Sequence, residues 1–323
     1  RAGESWFGFR QFHMHFLLPL MLQAYRGITF QPLLRADVEG VNPVDARRMM
    51  SLWTYLNPRR PGTLLHVYGL AKAEAATSAR DVKSELKKSG MKKEILVAQI
   101  RNLRKLVDKV RLPKLDTEWG SYSERGHYTD ADLQAKEAFV ASVAEQTKPT
   151  LAWDLGANDG HFSRLVADQG AYVIAADGDH LAVDGLYRSL REAGDTRILP
   201  LVLNLADPSP DRGWRSKERL AFTKRSRPQL VLALALIHHL VISRNVPMQE
   251  FVDFLADSGG DLVVEFPTPE DPMVQGLLRN KREGVHDDYT VEGFEAALAN
   301  RYVVRRRDEL PSGTRICYHA TLT

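Results

Sequence analysis

Hydrophobic positions in the second half of the chain fall into short runs, each closed by turn residues and followed by a helical stretch. Leu151–Leu155 is the first run, followed by Gly156, Gly160 and the helical Phe162–Asp168. Tyr172–Ala176, closed by Asp177, is the second, Leu199–Leu203 the third, Leu230–Leu236 the fourth and Asp261–Phe266 the fifth. Tyr302–Arg306 and Arg315–His319 read as a closing hairpin across Pro311–Gly313. Continuous apolar strands separated by helical segments predict a mostly parallel sheet covered on both faces. Five such strands and a terminal pair make a doubly wound α/β domain over residues 150–323.

The first half has another texture. Residues 1–112 read as a mainly helical region, punctuated by Pro32, Pro43, Pro58 and Pro61. Phe16–Leu22 is too short to cross a bilayer and reads as a buried helix. Leu96, Ile100, Leu103, Val107 and Val110 recur at helical spacing until Pro113 ends the run, with Lys and Arg on the opposite face. Residues 113–149 read as a linker and candidate lid, with Trp119, Tyr122, His127 and Tyr128 before a helical stretch over 131–147. The same aromatics equally suit packing at the joint between the two regions. A chain that opens at Arg1 inside the aromatic segment Trp6–Phe16 reads as a fragment of a longer N-terminal domain.

Composition narrows the function classes. A net charge of +3 gives no concentrated basic surface, so no nucleic-acid partner is expected. No apolar run approaches the roughly 18 residues of a membrane span, so no membrane partner is expected either. The single cysteine, Cys317, cannot form an internal disulfide, which fits a reducing cytoplasm. Its place in the last strand suits a small buried residue better than a nucleophile.

Chemistry concentrates where the first strand meets its helix, at Asp154-Leu155-Gly156-Ala157-Asn158-Asp159-Gly160. Glycines there let the chain turn sharply and admit a ligand close to the backbone. The second strand ends in Asp177-Gly178-Asp179, 21 residues after Gly156, where an acid is placed to accept hydrogen bonds from ribose hydroxyls. A nicotinamide dinucleotide calls for three glycines and an anion-binding helix start. Here Asp154 and Asp159 flank that position, and their charge opposes a pyrophosphate while suiting an ammonium and a sulfonium. The cofactor read from this loop is S-adenosyl-L-methionine. Ligands of open α/β sheets lie beyond the carboxyl ends of the strands. Asn204 and Leu205 after the third strand therefore read as adenine contacts, and Ala233 and Leu234 in the fourth as lining the same cofactor site. His238 and His239 come next, and a near-neutral imidazole suits a general base acting on an acceptor. The reading that outweighs this is that they only order the loop or line the pocket. Glu265 closes the fifth strand and, with Asp271, is the next candidate for proton transfer. The spacing of these groups matches no metal signature, and no metal is expected.

The stretch from Trp153 to the C-terminus resembles bacterial class I S-adenosylmethionine-dependent methyltransferases of nodulation and natural-product gene clusters. The matching residues are Ile198-Leu199-Pro200-Leu201, Leu205-Ala206-Asp207-Pro208, Gly213-Trp214 and Leu232 through Leu240 with its paired histidines. Arg244-Asn245-Val246-Pro247, Val264-Glu265-Phe266, Asp271-Pro272-Met273, Asp288-Tyr289-Thr290 and Gly313-Thr314-Arg315 continue the match. The resemblance implies a Rossmann-like seven-stranded sheet with a reversed last strand. It also implies methyl transfer to a small-molecule acceptor. Asn204 departs from the family's usual Asp, which keeps open a methyltransferase-fold protein without transfer activity that serves as a binding or scaffolding subunit. The helical region would shape the acceptor pocket or mediate self-association into a homo-oligomer.

Overall fold

The computed structural model describes residues 8–58, 60, 62–77, 93–112 and 129–323. The candidate lid residues Trp119, Tyr122, His127 and Tyr128 lie outside the described residues, as do Trp6 and Phe7. The chain divides into two compact units, Arg1–Leu115 with Arg212–Arg219, and Asp116–Asp211 with Leu220–Thr323.

In the second unit the sheet has seven strands: β1 (Leu151–Leu155), β2 (Tyr172–Asp177), β3 (Ile198–Val202), β4 (Leu230–Ala233), β5 (Asp261–Pro267), β6 (Tyr302–Glu309) and β7 (Arg315–Leu322). Their order is β3-β2-β1-β4-β5-β7-β6. β1 to β5 are parallel, and β7 runs antiparallel to both of its neighbours. This is the doubly wound, mostly parallel sheet with a reversed last strand that the sequence predicts. Both edges carry residues that suit an edge. β3 tolerates Pro200 because its outer side needs no ladder donor, and β6 exposes Arg305, Arg306 and Arg307, charges that discourage pairing with another chain. Some strand ends differ from the reading. β4 stops at Ala233 because Ala235 turns into the left-handed region at φ 50°, and β7 extends to Leu322.

Two apolar layers sandwich the sheet. One, around Trp153, Val231, Phe251, Val264, Phe294 and Tyr318, is fully buried, with Trp153 and Phe222 ring centroids 4.4 Å apart. The other joins the helix Asp130–Thr147 to the opposite face through Phe139, Val140 and Val143. That helix starts with a capping box in which Thr129 and Asp132 satisfy each other's backbone N–H groups. Cys317 is fully buried in β7 between β5 and β6, and burial pushes its thiol up to about 12. That thiol is no nucleophile.

The first unit is helical. Leu17, Leu18, Met21 and Leu22 form its centre with Val67, Leu103 and Leu106, while Phe16 is exposed at the surface. In the helix Lys93–Val107 the buried stripe runs through Leu103 and Leu106, and Ile100 faces solvent. Two π-helical turns, His13–Leu17 and Thr63–Gly69, meet through His13 Nε2 and His66 Nδ1, 3.0 Å apart. Among the described residues no helix is long and apolar enough to cross a membrane.

Candidate functional site

Because β1 to β5 are parallel, the loops after Leu155, Asp177, Val202, Ala233 and Pro267 all leave one edge of the sheet. The first of these loops is fixed by its own backbone. Gly156 N and Ala157 N both donate to Ala176 O, at 2.8 and 3.1 Å, tying the turn to the end of β2. Gly156 and Gly160 have φ of 81° and 76°, and a Cβ at Gly160 would stand 2.5 Å from Leu186 Cδ1. Only glycine fits there.

Asp177 joins that loop to the second one. Its Oδ2 accepts from Asn158 N and its Oδ1 from Asp179 N, both at 2.8 Å. Each carboxylate oxygen has a second lone pair to offer a hydroxyl. Burial raises the Asp177 pKa, and the backbone donors of Asp179, Asn158 and Gly178 oppose that rise. Asp179 caps the next helix by accepting from Leu181 N. Asp154 is almost fully buried under the loop, and Ser163 Oγ donates to its Oδ2 at 2.6 Å. Burial pushes the Asp154 carboxyl up to about 6, with Asp177 and Asp159 acting the same way and Ser163 and Lys136 against it. The structure thus brings Asp154, Gly156, Ala157, Asn158, Gly160, Asp177, Gly178 and Asp179 into one loop pair.

The remaining predicted residues occupy the neighbouring loops. Asn204 lies in the turn beyond β3, and its Oδ1 accepts from Ala206 N at 3.1 Å. Leu205 packs on the larger apolar layer, and Ala233 and Leu234 are buried at the end of β4. His238 and His239 follow the strained Ala235 turn with ring centroids 4.0 Å apart. His238 is 1% exposed, and its Nδ1 has no hydrogen-bond partner among the described residues. Burial drives the His238 pKa well below the ordinary 6.5, and His239, Arg315 and Lys136 add to it. His239 falls to about 4, through burial and Arg315. Neither imidazole is near neutral pKa, which corrects the sequence expectation: both are uncharged around pH 7.

Glu265 has a different task from the one its position in the sequence suggests. Its Oε2 accepts from Lys136 Nζ at 2.5 Å and its Oε1 from Arg315 Nη1 at 2.9 Å, while Arg315 Nε donates to Asp271 Oδ2 at 2.7 Å. All four side chains are buried. Burial alone would raise the Glu265 pKa, but the two cations overcome it and hold the carboxylate at about 2. A carboxylate so held is a poor proton acceptor, and both of its oxygens are engaged. Lys136 and Ser163 had no local signal, and Arg315 was marked only by the matching stretch Gly313-Thr314-Arg315, with nothing to pair it with Glu265. Lys136 precedes Glu265 by 129 residues, and Arg315 follows it by 50. Among the described residues no group of three or more His, Cys, Asp or Glu is arranged to hold a metal.

No family model matches the chain. It is 31% identical over 325 residues to nodulation protein NoeA of Rhizobium meliloti (strain 1021), an alignment spanning 98% of this chain and 67% of that protein. Among solved structures it is similar to N-methyltransferase NodS from Bradyrhizobium japonicum WM9 in complex with S-adenosyl-L-homocysteine. That likeness has 11% identity, covers 62% of this chain and 95% of that one, and has a TM-score of 0.43. It is also similar to magnesium protoporphyrin IX methyltransferase from Synechocystis PCC 6803 with bound S-adenosyl-L-homocysteine, at 16% identity over 64% and 95% of the two chains and a TM-score of 0.43.

Proposed function

This chain belongs to the family of nodulation protein NoeA, and we propose that it is a methyltransferase that carries a methyl group from S-adenosyl-L-methionine to a small-molecule acceptor. The observation that carries this reading is the Asp177 carboxylate. It is held by Asn158 N and Asp179 N across two glycine-bearing loops at the carboxyl edge of the sheet, with Asp154 beneath. Asp177 would take the ribose hydroxyls, and Asp154 with the first loop would take the methionyl ammonium. Asn204 Oδ1 accepts from Ala206 N and keeps a second lone pair, and its amide N–H₂ can donate, so the side chain can still meet the adenine edge. Ala233 and Leu234 would bring main-chain groups at the end of β4. Bound S-adenosylmethionine would supply a methyl group on a sulfonium, open to attack by a nucleophile.

The chain's own part is orientation and proton handling. His238, whose buried Nδ1 has no hydrogen-bond partner among the described residues, would take the acceptor's proton as the acceptor reaches it and attacks. Glu265 is a positioning residue, which holds Lys136 and Arg315 beside the histidines. Much of the acceleration comes from holding two reactants in a near-attack pose. A second reading, a subunit with this fold but no transfer activity, rests on Asn204 and on the depth of His238. A methyl-transfer assay on candidate acceptors separates the two.

The test of the cofactor is a calorimetric titration. S-adenosylhomocysteine should bind and NAD should not, and Asp177→Ala should weaken binding by about 1.5–3 kcal/mol, the scale of lost hydrogen bonds to a charged group. Binding of NAD alone, or an unchanged affinity in the folded mutant, overturns the assignment. The same titration has a pH dependence. A ligand ammonium beside Asp154 requires the carboxylate, whose pKa in the free protein is about 6. Affinity should therefore be flat above pH 6 and fall below it, by up to about tenfold per pH unit. Asp154→Asn should remove that slope, and a slope that survives the substitution excludes Asp154.

A further inference from the structure

The first unit exposes a set of large apolar side chains that its own core does not use. On the helix Leu52–Leu56, Leu52, Trp53 and Leu56 are 79%, 79% and 74% exposed, while Thr54 between them is fully buried. Helical spacing puts these three within about 100° of arc, so they share a face. On the π-helical turn Thr63–Gly69, Thr63 and Val67 are buried, and Leu64, Leu65 and Tyr68 are turned outward. The two elements are joined by a cleft lined by Arg47, Arg48, Met50, Leu52, Tyr55 and Tyr68. In it Arg47 lies over the Tyr68 ring at 4.6 Å, and Tyr55 and Tyr68 meet edge to face. Isolated exposed leucines need no explanation, but five exposed leucine and tryptophan side chains on two elements that touch each other mark a surface that meets something.

Charge selects the occupant. From Val44 to Lys72 the chain carries five cations, Arg47, Arg48, Arg59, Arg60 and Lys72, against one acid, Asp45. Asp45 bonds Arg48, and Glu74, just beyond, bonds Arg10. A second copy of this chain docking by a two-fold axis would bring two copies of the same arginine-rich face into one interface, and that excess of like charge opposes the contact. An anionic lipid surface complements both features. Leucines and a tryptophan enter the headgroup boundary, and arginines around them meet phosphates.

We propose that the face formed by Leu52, Trp53, Leu56, Leu64 and Leu65 with Arg47 and Arg48 seats the protein peripherally on an anionic bilayer. This is interfacial binding, not a membrane span, and it is the reverse of what net charge and hydropathy suggest for the chain as a whole. Both averages dilute a patch that occupies under thirty residues.

The test is co-sedimentation of the full chain with vesicles of phosphatidylcholine alone and of phosphatidylcholine with one-third phosphatidylglycerol. Binding is expected only to the second and should fall as salt rises. Arg47→Glu with Arg48→Glu should weaken it by at least about twentyfold, since each arginine near such a surface contributes about fivefold. Leu52→Glu with Trp53→Glu should abolish it. All four positions lie on the surface, so melting temperatures should hold within a few degrees. Binding to neither vesicle, equal binding to both, or retention by both double variants overturns the proposal. So does a chain that sediments as a dimer and becomes monomeric with Leu52→Glu and Trp53→Glu while ignoring vesicles, which would assign the face to a second copy.

Discussion

Replacing Glu265 by Ala is expected to cost the second unit about 3–5 kcal/mol of stability, the range for removing one partner of a buried ion pair. Glu265 is the shared acceptor of Lys136 and Arg315, and both cations are nearly solvent-free. Without it Lys136 and Arg315 lose the carboxylate they share, while Arg315 keeps Asp271. Glu265→Gln should lose less, because the amide oxygen still accepts one hydrogen bond. Denaturant unfolding of the three proteins measures the difference, and a loss below about 1 kcal/mol for the alanine variant would show that the cations find other partners. The pH dependence has a definite sign. The Glu265 pKa is lowered from 4.5 to about 2, so its contribution is complete above 4.5 and is lost as the pH falls toward 2.

His238→Ala is expected to lower turnover by about a hundredfold or more with little change in cofactor affinity, because a general base acts on the acceptor and not on the donor. Burial lowers the His238 pKa, so the acid limb of the pH–rate profile should lie below the ordinary imidazole range and disappear in the variant. If the ring only packs the loop after β4, the variant should melt at a lower temperature and bind cofactor less well, with the acid limb intact. His239→Ala, measured beside it, tells which of the stacked rings carries the effect. Full activity in both variants would leave the acceptor's deprotonation to a group outside this pair.

The parts of the site legible in the sequence are those built from neighbours. The loop Asp154–Gly160 and the acid Asp177 are each defined by a strand end, a turn and a helix start, and the 21-residue interval between Gly156 and Asp177 is set by one helix and one strand. The number of strands and their mostly parallel run followed from the apolar runs, and the resemblance implied the reversed last strand, while the order of the strands across the sheet came only with the structure. What stayed hidden depends on contacts between distant segments. Nothing near Lys136 marks it as the partner of Glu265. A lysine on a helix reads as a solvated face, and only the packing of Asp130–Thr147 on the sheet removes it from water. Glu265 therefore read as a base at a strand end, although it is an anchor. The imidazoles were misjudged for the same reason, since depth of burial sets their pKa and no periodicity reveals depth. Ala235 gave no sign either, because a left-handed alanine is imposed by the turn that carries the histidines and not by its own preference.

Cys317 gives this chain a built-in clock. It is the only thiol in the sequence, and it sits in β7 with a strand on either side. With its pKa pushed to about 12 and no solvent contact, it cannot meet an alkylating reagent while those strands stay paired. Each labelling event therefore records an opening of these strands or of the helix Asp130–Thr147 that packs over the thiol. At high reagent concentration the modification rate becomes the opening rate itself, and at low concentration it gives the equilibrium between closed and open sheet. One residue, with no substitution or attached probe, thus gives both the lifetime of the closed strands and the free energy of opening them.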